Sequence, residues 1–195
     1  MMWSLPISVE ISRKEYAIRN KCDYRVVLDV ISALNDEDLE MEYRVECALF
    51  QFYGNDELDT VEKVLSSLND IQIAIVEMMK IINLGKEETT EEEQHKPRLM
   101  DWEHDFQQIA PPISRVLGYS VRDANHYTHW WDFVGAYMEI GGECTFANII
   151  SIRDKRIKGK KLETWEQEFY RETKKIVDLP RKLTDEEQEW LDSDW

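Results

Sequence analysis

Ile7, Val9 and Ile11 alternate with polar residues, and Tyr16-Ala17-Ile18 follows Ser12-Arg13-Lys14. That period of two, interrupted by a possible turn, predicts a small β-hairpin. From Asp23 onward the period changes to that of a helix, with Tyr24, Val27, Leu28, Ile31 and Leu34 on one side until Asn35-Asp36. A second helix is predicted from about Glu40 to Tyr53, stopped by Gly54-Asn55. The third is the longest, from about Asp59 to Leu84, with apolar residues at 61, 64, 65, 68, 71, 75, 78 and 82 and extra ones at 73, 76, 79 and 81.

The second half of that helix, Ile71 to Ile82, is apolar nearly all round, wider than the stripe a surface helix needs. Two readings stay open: an internal core helix, or a face for another subunit or partner, which an Ile- and Met-rich surface suits. Ile71, Ile75, Met78, Met79 and Ile82 are the candidate partner-binding residues.

From Gly85 to Arg98 no residue is apolar and five glutamates crowd together, so this stretch buries no face and reads as an acidic flexible linker. It divides the chain into an N-terminal hairpin-and-helix part, 1–84, and a C-terminal helical part, 99–180, with an acidic tail over 181–195. In the C-terminal part, Asp101 can cap a helix reaching Arg115 to Leu117, with Gly118 as its stop; Pro111-Pro112 removes two backbone donors and is expected to kink or restart it. A helix from Asn125 or Thr128 to Ile140 carries Trp130, Trp131, Phe133, Val134, Tyr137 and Met138 and ends at Gly141-Gly142. Thr145 is the expected cap of the next, with Phe146, Ile149, Ile150 and Ile157, and a last long helix runs from about Thr164 to Val177. Thr184-Asp185-Glu186-Glu187 has the pattern of a capping box and predicts one short acidic helix in the tail. The fold class expected is mainly α: a short N-terminal β-hairpin, helices, an acidic linker and a C-terminal helical bundle.

Composition narrows the function. The 195 residues hold 7 Gly and 5 Pro, too few for the turns of a sandwich or barrel, while 43% hydrophobic content supports a folded core. Forty Asp and Glu against 24 Lys and Arg give a net charge of −16, which disfavours nucleic acid and anionic membranes as partners. Three widely spaced cysteines, Cys22, Cys47 and Cys144, fit a reducing compartment. Neither a signal peptide nor a membrane span is expected from the pattern. Charge is uneven: residues 151–182 carry eleven Lys and Arg against six Asp and Glu. The cluster Arg153, Lys155, Arg156, Lys158, Lys160 and Lys161 lacks the interleaved aromatics of a single-strand groove. It is expected to meet acidic surface of the same or a neighbouring molecule, the linker or tail included.

Candidate chemistry is sparse. There is no phosphate-loop, dinucleotide, zinc-protease or nucleophile-elbow motif. Asp101, His104 and Asp105 share a helix face and His126 and His129 are spaced to join them as metal ligands, but each has a structural reading: Asp101 as cap, Asp105 as first-turn acid, His129 as an edge contact for a tryptophan. Neither a metal nor a cofactor is expected, and no catalytic residue is assigned.

Several ordered motifs resemble the bacteriophage gp fifteen family. In the first half these are Tyr16-Ala17-Ile18, Asp23-Tyr24-Arg25-Val26-Val27-Leu28, Leu34-Asn35-Asp36-Glu37-Asp38-Leu39 and Phe52-Tyr53-Gly54. The second half has Asp101-Trp102-Glu103-His104-Asp105, Thr128-His129-Trp130-Trp131-Asp132-Phe133, Ile149-Ile150-Ser151-Ile152-Arg153, Lys160-Lys161-Leu162, Phe169-Tyr170 and Lys174-Lys175-Ile176-Val177-Asp178-Leu179-Pro180. The resemblance spans residues 5 to 180; Pro111-Pro112 and the tail depart from it. It marks Asp101, Trp102, Asp105, His129, Trp130, Trp131 and Phe133 as signature positions. It implies a tail assembly chaperone of siphophages of Gram-positive bacteria, made in the host cytoplasm and absent from the finished virion. The partners implied are the tape-measure protein, kept soluble, and the tail-tube protein, with self-association or a partner chaperone as a further possibility. A structural tail or baseplate component is the alternative. In the chaperone reading Ile71 to Ile82, with Trp102 or Trp165, would cover a tape-measure helix, and Arg153, Lys155, Arg156, Lys160 and Lys161 would dock an acidic neighbour.

Overall fold

The computed structural model describes residues 4–86 and 97–180. Most of the expected acidic linker and the whole 181–195 tail therefore lie outside the described residues. Among those described, the fold is mainly α, with eight α-helices and one two-stranded sheet.

Strands β1 (Ser8–Ile11) and β2 (Lys14–Ala17) pair antiparallel in the register Val9 to Tyr16 and Ile11 to Lys14. Ser12 and Arg13 form the two-residue turn, both at positive φ (51° and 67°), the backbone that matches the twist of a tight hairpin. Helix α1 (Tyr24–Asn35) starts as predicted from Asp23, whose carboxylate accepts the Arg25 N–H at 3.0 Å, and α2 (Met41–Tyr53) packs along it. Helix α2 stops at Gly54, where a Cβ would lie 2.5 Å from the Phe50 carbonyl oxygen.

The long helix expected over 59–84 is two helices, α3 (Val61–Ser67) and α4 (Ile71–Ile82). Periodicity runs through the break, so it gave no warning; side-chain chemistry makes it. Asp70 is extended and caps α4 by accepting the Ile73 N–H at 3.0 Å. From the hairpin, the Tyr16 hydroxyl donates to the Ser67 carbonyl (2.8 Å) and accepts the Asn69 N–H (3.0 Å). One phenol thus satisfies backbone groups on both sides of the interruption.

Helix α5 (Trp102–Leu117) runs unbroken through Pro111 and Pro112, where a kink or restart was expected. The prolines remove the N–H groups that would have bonded the Gln107 and Gln108 carbonyls. The division between the chain's two compact units falls there, between Gln108 and Ile109. One unit comprises 4–86 and Ile109–Ile140; the other comprises Pro97–Gln108 and 141–180. Packing thus does not follow chain order, because residues after the acidic stretch contribute to both.

In the first unit α6 (Trp130–Met138) begins later than the Asn125 or Thr128 expected, because 128–129 is extended and bridges to Asp23. Its Phe133 ring stacks on Tyr24 at 4.2 Å between centroids, and Leu49, Phe52, Met78, Ile109 and Ile113 complete a core with no exposed surface. In the second unit, α7 (Thr145–Ile157) and α8 (Thr164–Val177) bury Ile149, Ile152 and Val177 against Leu162, Phe169 and Tyr170. The cap of α7 is Cys144 rather than Thr145, its sulfur accepting the Ala147 N–H at 3.4 Å.

Replacing Tyr16 with Phe removes both bonds at the α3–α4 break while keeping the ring. The expected loss is about 1–2 kcal/mol of stability, read as a lower urea midpoint with unchanged helical circular dichroism; an unchanged midpoint would refute the role given to the hydroxyl.

Candidate functional site

Helix α4 has more apolar surface than its neighbours can cover. Ala74, Met78 and Ile81 are buried, Met78 completely, and Tyr53 on α2 donates its hydroxyl to the Ala74 carbonyl at 2.9 Å. Burial pushes the Tyr53 phenol well above its ordinary pKa, so it stays a donor. Ile75 and Ile82 are half-buried at the margin. Ile71, Ile73, Val76 and Met79 are exposed, Val76 at 50% and Met79 at 36%. The over-wide stripe therefore divides: one edge is core and the other faces solvent. Of the five residues singled out from the sequence, Ile71 and Met79 lie on the open face, Ile75 and Ile82 on its border, and Met78 inside. Val76 and Ile73 belong to the open face and were not singled out; the signal was the extra apolar positions at 73, 76 and 79.

The end of α4 is held by the tryptophan pair. The Trp130 indole N–H donates to the Ile82 carbonyl (3.0 Å) and that of Trp131 to the Ile81 carbonyl (2.9 Å). The last carbonyls of a helix have no partners within it, so two indoles supply what the helix lacks. The pair is placed in turn by His129, fully buried and the N-cap of α6. Its Nδ1 accepts the Trp131 N–H at 3.0 Å, and its Nε2 lies 2.9 Å from the Pro6 carbonyl. A carbonyl can only accept, so Nε2 carries the proton. The edge contact expected with tryptophan is present, His129 standing at 81° to Trp131. Short backbone bonds tie this segment to the start of α1, Trp130 N–H to the Cys22 carbonyl and Tyr24 N–H to the Thr128 carbonyl, each 2.9 Å. Arg25 completes the clasp, donating to the Val121, Asp123 and His126 carbonyls and pairing with Asp23 at 3.2 Å. Burial pushes the Cys22 thiol up to about 12, leaving it unreactive beneath the clasp.

In the second unit the basic cluster is largely spent on internal pairs. Arg153, 5% exposed, grips fully buried Asp105 through two bonds of 2.7 and 2.8 Å. Its remaining N–H groups donate to the Leu99 (2.8 Å), Ile176 (2.9 Å) and Val177 (2.6 Å) carbonyls. All five guanidinium donors are used. Lys155 donates to Glu166 at 2.7 Å, and the other oxygen of Glu166 accepts the Glu163 N–H at 2.9 Å. Arg156 pairs with Asp178 and lies 4.1 Å over the Tyr170 ring; Lys158 pairs with Asp154. Lys160 and Lys161 are exposed. The Asp105–Arg153 pair had a signal in the sequence: Arg153 recurs with Phe146 and Ile149 on the buried face of a helix, where a cation needs an acid.

The proposed metal-ligating residues are spread over separate tasks. Asp101 accepts the His104 N–H (2.6 Å), Asp105 is engaged by Arg153, His104 meets the Ile176 carbonyl (3.1 Å), and His126 stacks on Tyr119. Among the described residues no three His, Cys, Asp or Glu side chains gather as a metal site requires. Trp102 opens α5 and is half-buried. No helix among the described residues is long and apolar enough to cross a membrane.

Two predictions follow from the second unit's ion pairs. Arg153→Met leaves Asp105 buried and unpaired and is expected to cost about 3–5 kcal/mol. Adding Asp105→Leu removes the stranded charge and should recover most of that loss in a urea double-mutant cycle. For Glu166, burial pushes the carboxyl up, but Lys155 and the Glu163 N–H outweigh it and hold the pKa below the usual range. The unfolded chain therefore takes up this proton first as pH falls, so the contribution of Glu166 is complete above the ordinary carboxylate pKa and vanishes through the depressed one. The stability gap between wild type and Glu166→Gln should be widest at neutral pH and close as pH falls below the ordinary carboxylate range and through the depressed pKa; a gap constant with pH would contradict it.

No curated protein and no solved structure matches the chain. A family model does: the one described as "Bacteriophage Gp15 protein" matches residues 1–179, which takes in the hairpin, the α4 face, the His129-Trp130-Trp131 clasp and the Asp105–Arg153 pair. The chain belongs to the bacteriophage Gp15 protein family.

Proposed function

We propose that this phage protein is a tail assembly chaperone that keeps the tape-measure protein soluble until tail-tube subunits assemble around it. The observation that carries the reading is the open face of α4. Ile71, Ile73, Val76 and Met79 expose apolar surface on a helix whose opposite edge is core and whose last two carbonyls are held by indoles. Such a face suits an amphipathic helix laid along it, the arrangement by which one chain shields the apolar seam of another. The occupant is a helix of the tape-measure protein with basic flanks. Residues 4–86 and 109–140 carry 19 Asp and Glu against 11 Lys and Arg, which steers a basic partner toward this unit and keeps the complex dispersed. Family membership supports the phage context. The protein acts in the host cytoplasm and leaves before the virion is complete, with no catalytic step of its own.

The test is co-expression with the tape-measure protein of the same tail region. The wild-type chain is expected to raise soluble tape measure and to co-purify with it. Val76→Glu with Met79→Glu should abolish both while leaving thermal unfolding within a few degrees of wild type; fully buried Met78 is unsuitable, since a charge there would unfold the unit. Insoluble tape measure in both cases, with this chain recovered from purified virions, would replace the chaperone by a structural component.

A further inference from the structure

In the second unit, α8 turns one strip of side chains into the core and leaves two others in water. The inward strip is Glu166, Tyr170, Thr173 and Val177, buried at both ends, so the helix keeps its facing although the backbone bends at Thr173 (φ −117°, ψ 21°). Beside it runs an apolar row of Trp165, 47% exposed, half-buried Phe169, and Ile176, 37% exposed. The helical period places Glu172, Glu168, Lys175 and Arg171 along the outer flank of that row. All four are exposed, and none has an ion-pair partner among the described residues. Glu168 stands four residues from Glu172, and Arg171 four from Lys175, so each charge lies beside a like one on its own helix.

The signs along this flank are minus at 168, plus at 171, minus at 172 and plus at 175. Turned end for end about a point between 171 and 172, that order becomes its own complement. We infer that α8 pairs with α8 of a second copy, antiparallel about a two-fold axis at that point, making the second unit a self-association surface. Each Glu168 then meets Lys175 of the other copy and each Glu172 meets Arg171 of the other copy, every pair occurring twice as two-fold symmetry requires.

The apolar row falls in step with the same axis. Ile176 of one copy arrives midway between Trp165 and Phe169 of the other, two residue steps from each, about 3 Å along the helix at the ordinary rise. A branched side chain entering between two aromatic rings is the knob-and-hole contact that antiparallel helices make. One registry thus satisfies the flank charges and the apolar row together, and it was fixed by the charges alone. Net charge does not oppose the pairing: residues 97–108 and 141–180 hold ten Lys and Arg against ten Asp and Glu, whereas the first unit is acidic. A single helix pair is a small interface, so the dimer is concentration-dependent. The inference does not depend on the tape-measure reading.

Analytical ultracentrifugation of the full chain over a range of concentrations tests it. The wild type should pass from monomer to dimer as concentration rises. Glu168→Lys and Lys175→Glu each turn two attractions into repulsions, and each alone should raise the dimer dissociation constant about tenfold. Mixed in equal amounts, the two variants restore both pairs and should associate with each other about as tightly as the wild type does with itself. Trp165→Ser with Ile176→Ser should abolish the dimer. All four positions are exposed, and unchanged helical circular dichroism reports that each variant stays folded. A wild-type chain that remains monomeric at every soluble concentration overturns the proposal. So does a dimer indifferent to these variants. A mixture of the two charge variants that associates no better than either alone overturns it too, assigning the row to a different partner.

Discussion

A guanidinium taken out of water must find an acceptor for each of five N–H groups, and the second unit is arranged around meeting that demand for Arg153. Its acceptors come from different stretches of chain: the Asp105 carboxylate on α5, the Leu99 carbonyl before it, and the Ile176 and Val177 carbonyls closing α8. The last two are helix-end carbonyls, where the helix dipole also favours a cation. One side chain on α7 therefore neutralises a buried acid, caps a helix and fixes the strand of chain entering α5. A hydrophobic pair in the same place could match its stability but would not specify so many partners at once.

The first unit meets the corresponding demand at α4 with neutral donors. Two indoles reach the Ile81 and Ile82 carbonyls, and both are aimed by a buried histidine whose own two nitrogens are occupied. Arg25 and Asp23 then fasten the loop carrying the histidine to the first turn of α1. The Thr128-His129-Trp130-Trp131 motif is thus an end-clamp for α4, built from indole and imidazole hydrogen bonds.

Much of this was legible in the sequence because it rests on local rules. The hairpin, the caps at Asp23 and Asp101, the limits of α2 and α8 and the stop at Gly118 follow from turn chemistry and periodicity. The break between α3 and α4 was not legible, because the apolar spacing continues through Leu68 and the decisive donor, the Tyr16 hydroxyl, comes from about fifty residues away. Likewise the prolines of α5 signalled a local interruption, whereas the helix tolerates them and the change occurs in which unit its two halves join. For the exposed apolar face of α4, the sequence marked an over-wide stripe and could not say which edge was core: Met78 and Met79 are neighbours in sequence, and a rotation of one residue separates a buried side chain from an exposed one.

That separation has a physical consequence for how an exposed apolar face persists without collapse. Ile71, Ile73, Val76 and Met79 cannot retreat inward, because Ala74, Met78 and Ile81 already fill the core side and the helix end is pinned by indole donors. A face fixed in this way forfeits the hydrophobic gain of burial in the free protein, roughly 25 cal/mol for each Å² left in water, and recovers it only when another surface covers it. The excess of acids over bases around it opposes pairing with a second copy of the same unit and favours a partner of opposite charge. Rigidity at one edge thus keeps the apolar side chains at the other in place, where a collapsing helix would have folded them inward.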